Sequence, residues 1–127
     1  MAISKKGKRK LVRHDRIFYW YMKETEDWMH AYRGPQLHVI SDDRKFLISY
    51  QPGQQNENPF LIIKGREYEG LPDLGGPWVR VKVPHWEDKA ITPVFVRRLI
   101  DWCLEEKDEI VLVDYLGKVI STRTGMS

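Results

Sequence analysis

The segment TPVFVRRLIDWCL, residues 92–104, carries the plainest structural signal in the chain. Thr92 is a good N-cap, and Pro93 suits the first helical position, where its missing N–H costs no hydrogen bond. Phe95, Val96, Leu99, Ile100 and Cys103 recur at i, i+1, i+4, i+5 and i+8, a broad apolar stripe. Arg97, Arg98, Asp101, Glu105 and Glu106 take the opposite side. The spacing predicts one principal helix over about 93–105, lying with its apolar side on a sheet. Glu105 and Glu106 fall in its last turn, where the macrodipole disfavours anions, so Lys107 and solvent must soften their charge.

The sheet is read from the flanks. Residues 78–83 alternate: Val79, Val81 and Val83 point one way, Trp78, Arg80 and Lys82 the other, the mark of a half-exposed antiparallel strand. Residues 110–113 form a further strand, apolar on both faces, and Leu116-Gly117 turns it into a weaker one at 118–121. Upstream, residues 8–13 and 16–23 make a hairpin through His14-Asp15, two residues that tolerate positive φ. Its second strand puts Phe18, Trp20 and Met22 on one face and Ile17, Tyr19 and Tyr21 on the other, so it is covered on both sides or offers an aromatic surface. Residues 36–41 and 45–50 form the clearest hairpin, joined through Asp42-Asp43-Arg44, with Leu37, Val39, Phe46, Ile48 and Tyr50 inward. Residues 60–63 read as a buried strand. Residues 24–36 read as an irregular connection, 51–59 as a mobile polar loop without an apolar anchor, and 66–77 as a Gly- and Pro-rich loop. The expected architecture is α+β: a mostly antiparallel sheet of six or seven strands with one principal helix packed on it. Residues 1–7 are a basic flexible leader, 8–121 a single domain, and 122–127 a frayed tail.

Composition bounds the rest. At 127 residues with 42% hydrophobic content, five Trp, six Tyr and four Phe, one self-sufficient core is expected and wholesale disorder is excluded. A single cysteine, Cys103, excludes an intrachain disulfide and a cysteine-rich zinc site. Apolar runs are too short to cross a membrane as helices, and no signal-peptide h-region follows the basic start, so a cytoplasmic location and no membrane partner are expected. Net charge is +3, unevenly placed: residues 1–16 hold seven of the 21 basic residues against Asp15 alone. A cationic arm on a mildly acidic body can bind phosphates by counterion release. It can equally be a solvated leader with an edge strand whose cations discourage edge-to-edge association.

No local catalytic motif appears. The four histidines, His14, His30, His38 and His85, do not form a metal-ligand spacing; His85, Glu87 and Asp88 in PHWEDK are as well explained by a surface turn with capping acids. Asp42-Asp43 sits where ordinary turn chemistry places acids. Cys103 lies on the apolar stripe near a helix C-terminus, where a thiolate is disfavoured, and reads as core. In Gly75-Gly76-Pro77 the proline removes an N–H that a phosphate cradle would use. No catalytic, cofactor or metal residue is assigned.

The opening SKKGKRK (4–10), the LHVIS strand (37–41) and ITPVFVRRLIDWCL (91–104) together resemble a family of small uncharacterised bacterial proteins with no assigned function. The resemblance implies a bacterial, cytoplasmic, single-domain protein and carries no active-site residues.

The functional expectation is a non-catalytic binding or regulatory module engaging a protein partner or itself. The alternative is nucleic-acid binding through the basic arm (Lys5, Lys6, Lys8, Arg9, Lys10) and an aromatic and basic sheet face (Trp78, Arg80, Lys82), since cationic surfaces with stacking platforms hold single strands. A third reading is a small hydrolase-type enzyme whose site assembles across loops from Asp73, His85, Glu87, Asp88 or His38.

Overall fold

The structure, a computed structural model, describes residues 8–26, 33–54, 58–65, 67–68, 79–86, 90–114 and 116–124. Among the described residues, eight strands and one helix follow in the order β1 (Arg9–Arg13), β2 (Arg16–Glu26), β3 (Arg33–Ser41), β4 (Leu47–Tyr50), β5 (Phe60–Ile63), β6 (Val79–Lys82), α1 (Pro93–Leu104), β7 (Glu109–Val113) and β8 (Val119–Thr124). Each strand pairs antiparallel with its neighbours in sequence, giving one sheet in the order β1 to β8. The α+β class is as expected; the count is eight rather than six or seven, because the weak segment after Gly117 is a full strand that pairs with β7 through Thr124, with a bulge between Leu112 and Val113.

The β1–β2 turn is a two-residue connection with His14 at φ 55° and Asp15 at φ 58°, the pair of left-handed conformations that matches strand twist. Between β3 and β4, Arg44 takes φ 64°, the Ser41 carbonyl accepts from the Arg44 amide, and Asp43 Oδ1 accepts from the Lys45 amide at 3.0 Å. The connection read as irregular over 24–36 is shorter than expected. Strand pairing continues from Lys23↔Gln36 to Glu26↔Arg33, and residues 27–32 lie outside the described residues. The loop expected to be mobile over 51–59 is held at its described ends: Gln54 Oε1 accepts from the Phe60 amide at 3.0 Å and Asn58 Nδ2 donates to the Gly117 carbonyl at 2.9 Å. Polar side chains anchor it where apolar ones are lacking.

Helix α1 begins as its sequence dictates, with Thr92 Oγ1 accepting from the Phe95 amide at 3.2 Å. It ends at Leu104. Glu105 is an extended C-cap rather than part of the last turn, and Lys107 Nζ donates to the Glu105 carbonyl at 2.9 Å. Phe95, Val96, Leu99, Ile100 and Cys103 are buried and join Leu11, Phe18, Trp20, Leu37, Val39, Ile48, Leu61, Val81 and Ile110 in one core. A flat eight-stranded sheet would be about 33 Å wide, whereas a helix with its side chains covers about 10–12 Å. Burial of Leu11 on β1 and Ile110 on β7 in the same core as α1 therefore means that the sheet curls around the helix. Arg13 closes the near side: its Nε donates to Asp101 Oδ1 at 2.9 Å and its Nη2 to Oδ2 at 2.5 Å. The helix thus fills the inner face, which leaves the outer face to be accounted for.

Candidate functional site

Cross-strand register places one row of side chains across the outer face. Tyr21 pairs with His38, His38 with Ser49, Ser49 with Ile62, Ile62 with Arg80 and Arg80 with Val113. Paired residues in antiparallel strands share a face, so these belong to one surface. A parallel row runs Lys10, Tyr19, Ile40 and Leu47, and a third brings in Lys23 opposite Gln36 and Phe60 opposite Lys82. Among the described residues of β1–β6, this face presents basic, aromatic, aliphatic and uncharged polar side chains and no carboxylate.

Several residues singled out from the sequence meet here. Lys8 Nζ sits 5.1 Å from the centre of the Tyr21 ring, Lys10 is exposed opposite Tyr19, Arg80 is half-buried in the central row and Lys82 is exposed. Tyr19 and Tyr21 share this face with Arg80 and Lys82, four strand spacings away from Tyr21 or about 19 Å. Tyr19 is buried; Tyr21 is half-exposed. Arg9 points to the inner face, its guanidinium 5.3 Å from the Trp20 ring, and does not join them. Lys5, Lys6 and Trp78 lie outside the described residues, as do Asp73, Glu87, Asp88, His30 and residues 75–77.

At the centre of the face stands His38, which the sequence offered only as one candidate for an enzyme site assembled across loops. The His38 ring stacks on Tyr21, with centroids 5.0 Å apart and planes 21° off parallel, and its Nδ1 lies 2.8 Å from Ser49 Oγ. His38 is 8% exposed and Ser49 1%. His38 Nε2 is buried with no hydrogen-bond partner. Burial, then the charges of Lys64 and Lys23, lower the His38 pKa to about 4, so the ring is neutral at pH 7. Alternation in QLHVI does set His38 opposite Leu37 and Val39, but only the pairing shows what adjoins it.

The remaining candidates are structural in their surroundings. Cys103 is fully buried on α1, and burial pushes its thiol up to about 12, so no thiolate nucleophile is available near neutrality. Asp43 accepts from Ser41 Oγ and the Lys45 amide, which holds its carboxyl below the usual carboxylate range. His85 is exposed and lines a depression of about 50 Å³ with Tyr50, Gly53, Gln54, Pro59, Pro84 and Trp86. Among the described residues no group of three His, Cys, Asp or Glu side chains could hold a metal ion, and no helix is long and apolar enough to cross a membrane.

Comparison with models of protein families, with curated proteins and with solved structures finds no match.

Proposed function

We propose that this α+β domain is a non-catalytic binding module whose outer sheet face holds single-stranded nucleic acid. The observation that supports this reading is the sharing of one face, free of carboxylates among the described residues of β1–β6, by Lys8, Lys10, Lys23, Arg80 and Lys82 with Tyr21 and Phe60. Cations in rows match a phosphate backbone, and aromatic rings between them offer base-stacking surfaces that any sequence can use. Lys10 and Lys82 stand on strands at opposite sides of the patch, so a strand crossing the sheet would meet charge at both ends.

Binding of a fluorescent oligothymidylate of about 12 nucleotides, within the usual site size, tests it by anisotropy. Contact with about four phosphates should weaken binding about 50-fold between 50 and 200 mM salt. The double variant Lys10→Glu/Lys82→Glu, both exposed positions, should weaken binding at least about tenfold and flatten the salt slope by about 1.4. Absence of binding at low salt, or binding indifferent to salt, would overturn the reading.

A second reading, a protein partner or self-association, is favoured by β8. Among the described residues this edge strand pairs with β7 alone, and it exposes Val119 at 53% and Ile120 at 65%, next to exposed Leu116. Unpaired backbone groups beside apolar side chains are a template for another strand. A doubled mass in light scattering, lost on Ile120→Lys, would support it.

A further inference from the structure

Ser49 fixes which nitrogen of His38 carries the ring proton. The Ser49 hydroxyl is buried, and His38 Nδ1 is its hydrogen-bond partner. If Nδ1 carried the proton and donated to Oγ, the hydroxyl hydrogen would lack an acceptor and Nε2 would keep an unused lone pair. If the hydroxyl donates to Nδ1, one group is left over: an Nε2–H donor. Fewer orphans cost less, so the proton sits on Nε2. The centre of a basic face thus holds a buried donor without an acceptor. The charged groups that act on it, Lys23 on β2 and Lys64 just after β5, are both cations, while Tyr21 and Ser49 flank it from β2 and β4. Neither lysine can supply an acceptor, because an ammonium group only donates. The complement of this environment is an anionic oxygen.

Building on the nucleic-acid reading, we propose that His38 Nε2–H donates to a backbone phosphate of the bound strand, fixing its position over the middle of the sheet. Lys23 and Lys64 carry the positive charge that acts on His38, and a phosphate held at Nε2 would share that field. A hydrogen bond to a charged oxygen in so enclosed a place is stronger than one to a neutral group. Tyr21, held parallel to the imidazole, keeps the ring plane fixed so that the donor direction is set before binding.

The test uses the full chain with 15N-labelled histidine and the same oligothymidylate. In the free protein the His38 nitrogen shifts should show a neutral ring protonated at Nε2. Oligonucleotide should move the Nε2 resonance and raise the His38 titration midpoint, because phosphate stabilises the imidazolium. The paired variant His38→Phe/Ser49→Ala removes donor and hydroxyl together, leaves no orphan and keeps an aromatic ring against Tyr21. It should melt no lower than the native protein and bind oligothymidylate about 10- to 100-fold more weakly. Salt-dependent binding by the native protein with unmoved His38 resonances, or undiminished affinity in a folded paired variant, would overturn the role of His38 while the reading of the face stands. Failure of the native protein to bind the oligonucleotide would overturn both.

Discussion

A Cβ at Gly65 would lie 2.5 Å from the Lys45 carbonyl oxygen and 2.7 Å from the Leu47 amide nitrogen. Both are main-chain atoms leading into β4, and the Gly65 amide itself donates to the Leu47 carbonyl at 3.0 Å, so neither side can yield without breaking sheet pairing. Gly65→Ala should therefore destabilise the fold by about 3 kcal/mol, read as a lowered urea midpoint at unchanged slope. A loss below about 1 kcal/mol would mean that the two chains can part at little cost. Nothing in the sequence around Gly65 announces this, because the constraint comes from a segment twenty residues away. The turn at His14-Asp15 is the contrary case: its demand for positive φ is local and was legible. His38 lies between these. Its face could be read from alternation, whereas its stacking on Tyr21 and its idle nitrogen depend on which strands lie beside β3.

At the scale of elements, α1 was readable almost to the residue because cap, proline and apolar stripe act within one segment. Its tether was not. Asp101 accepts two hydrogen bonds from Arg13 and lies 2.9 Å from His14 Nε2, joining the helix to the first hairpin across 88 residues. Arg13 holds the Asp101 carboxyl below the usual range, yet both partners are partly open to water and the pair is screened accordingly. A double-mutant cycle with Arg13→Ala and Asp101→Ala should give a coupling of about 0.5–1 kcal/mol, falling in 1 M salt. A coupling of zero would leave the helix held by its apolar side alone. The extension of β2 and β3 past Lys23 and Gln36 was hidden by Gly34 and Pro35, which ordinarily mark a break. Pro35 sits opposite Glu24 in the β2–β3 ladder, beyond the described β3–β4 pairing that starts at Leu37.

Over the whole molecule, acid and alkali should act on different groups. His38 has a pKa lowered from 6.5 to about 4, so the fold favours its neutral form; that contribution is whole above pH 6.5 and is lost as pH falls towards 4. Asp101, Asp43 and Asp114, all lowered by hydrogen bonds to their charged forms, extend the loss further into acid. Burial raises Cys103 from 9.0 to about 12 and raises Tyr68 as well, so stability from their neutral forms is present below pH 9 and lost as pH climbs through 12. Urea midpoints should hold level between about pH 6.5 and 9 and fall on either side, and His38→Phe/Ser49→Ala should flatten the stretch between 6.5 and 4. A midpoint still rising above pH 9 would contradict the burial of Cys103. The sharing of one face by Tyr19, Tyr21, Arg80 and Lys82 belongs to this scale too. Hydrophobic period assigns sides within a strand, but the common surface depends on the neighbour-to-neighbour order of all the strands between them.

That order has a bearing on synthesis. Six strands can zip together as they leave the ribosome, each after the first finding a mate already made, yet the greasy inside of the curl has no cover until residues 93–104 have emerged. Between the completion of β6 and that of α1 the nascent sheet is a bare, sticky trough, closed only when the helix drops in.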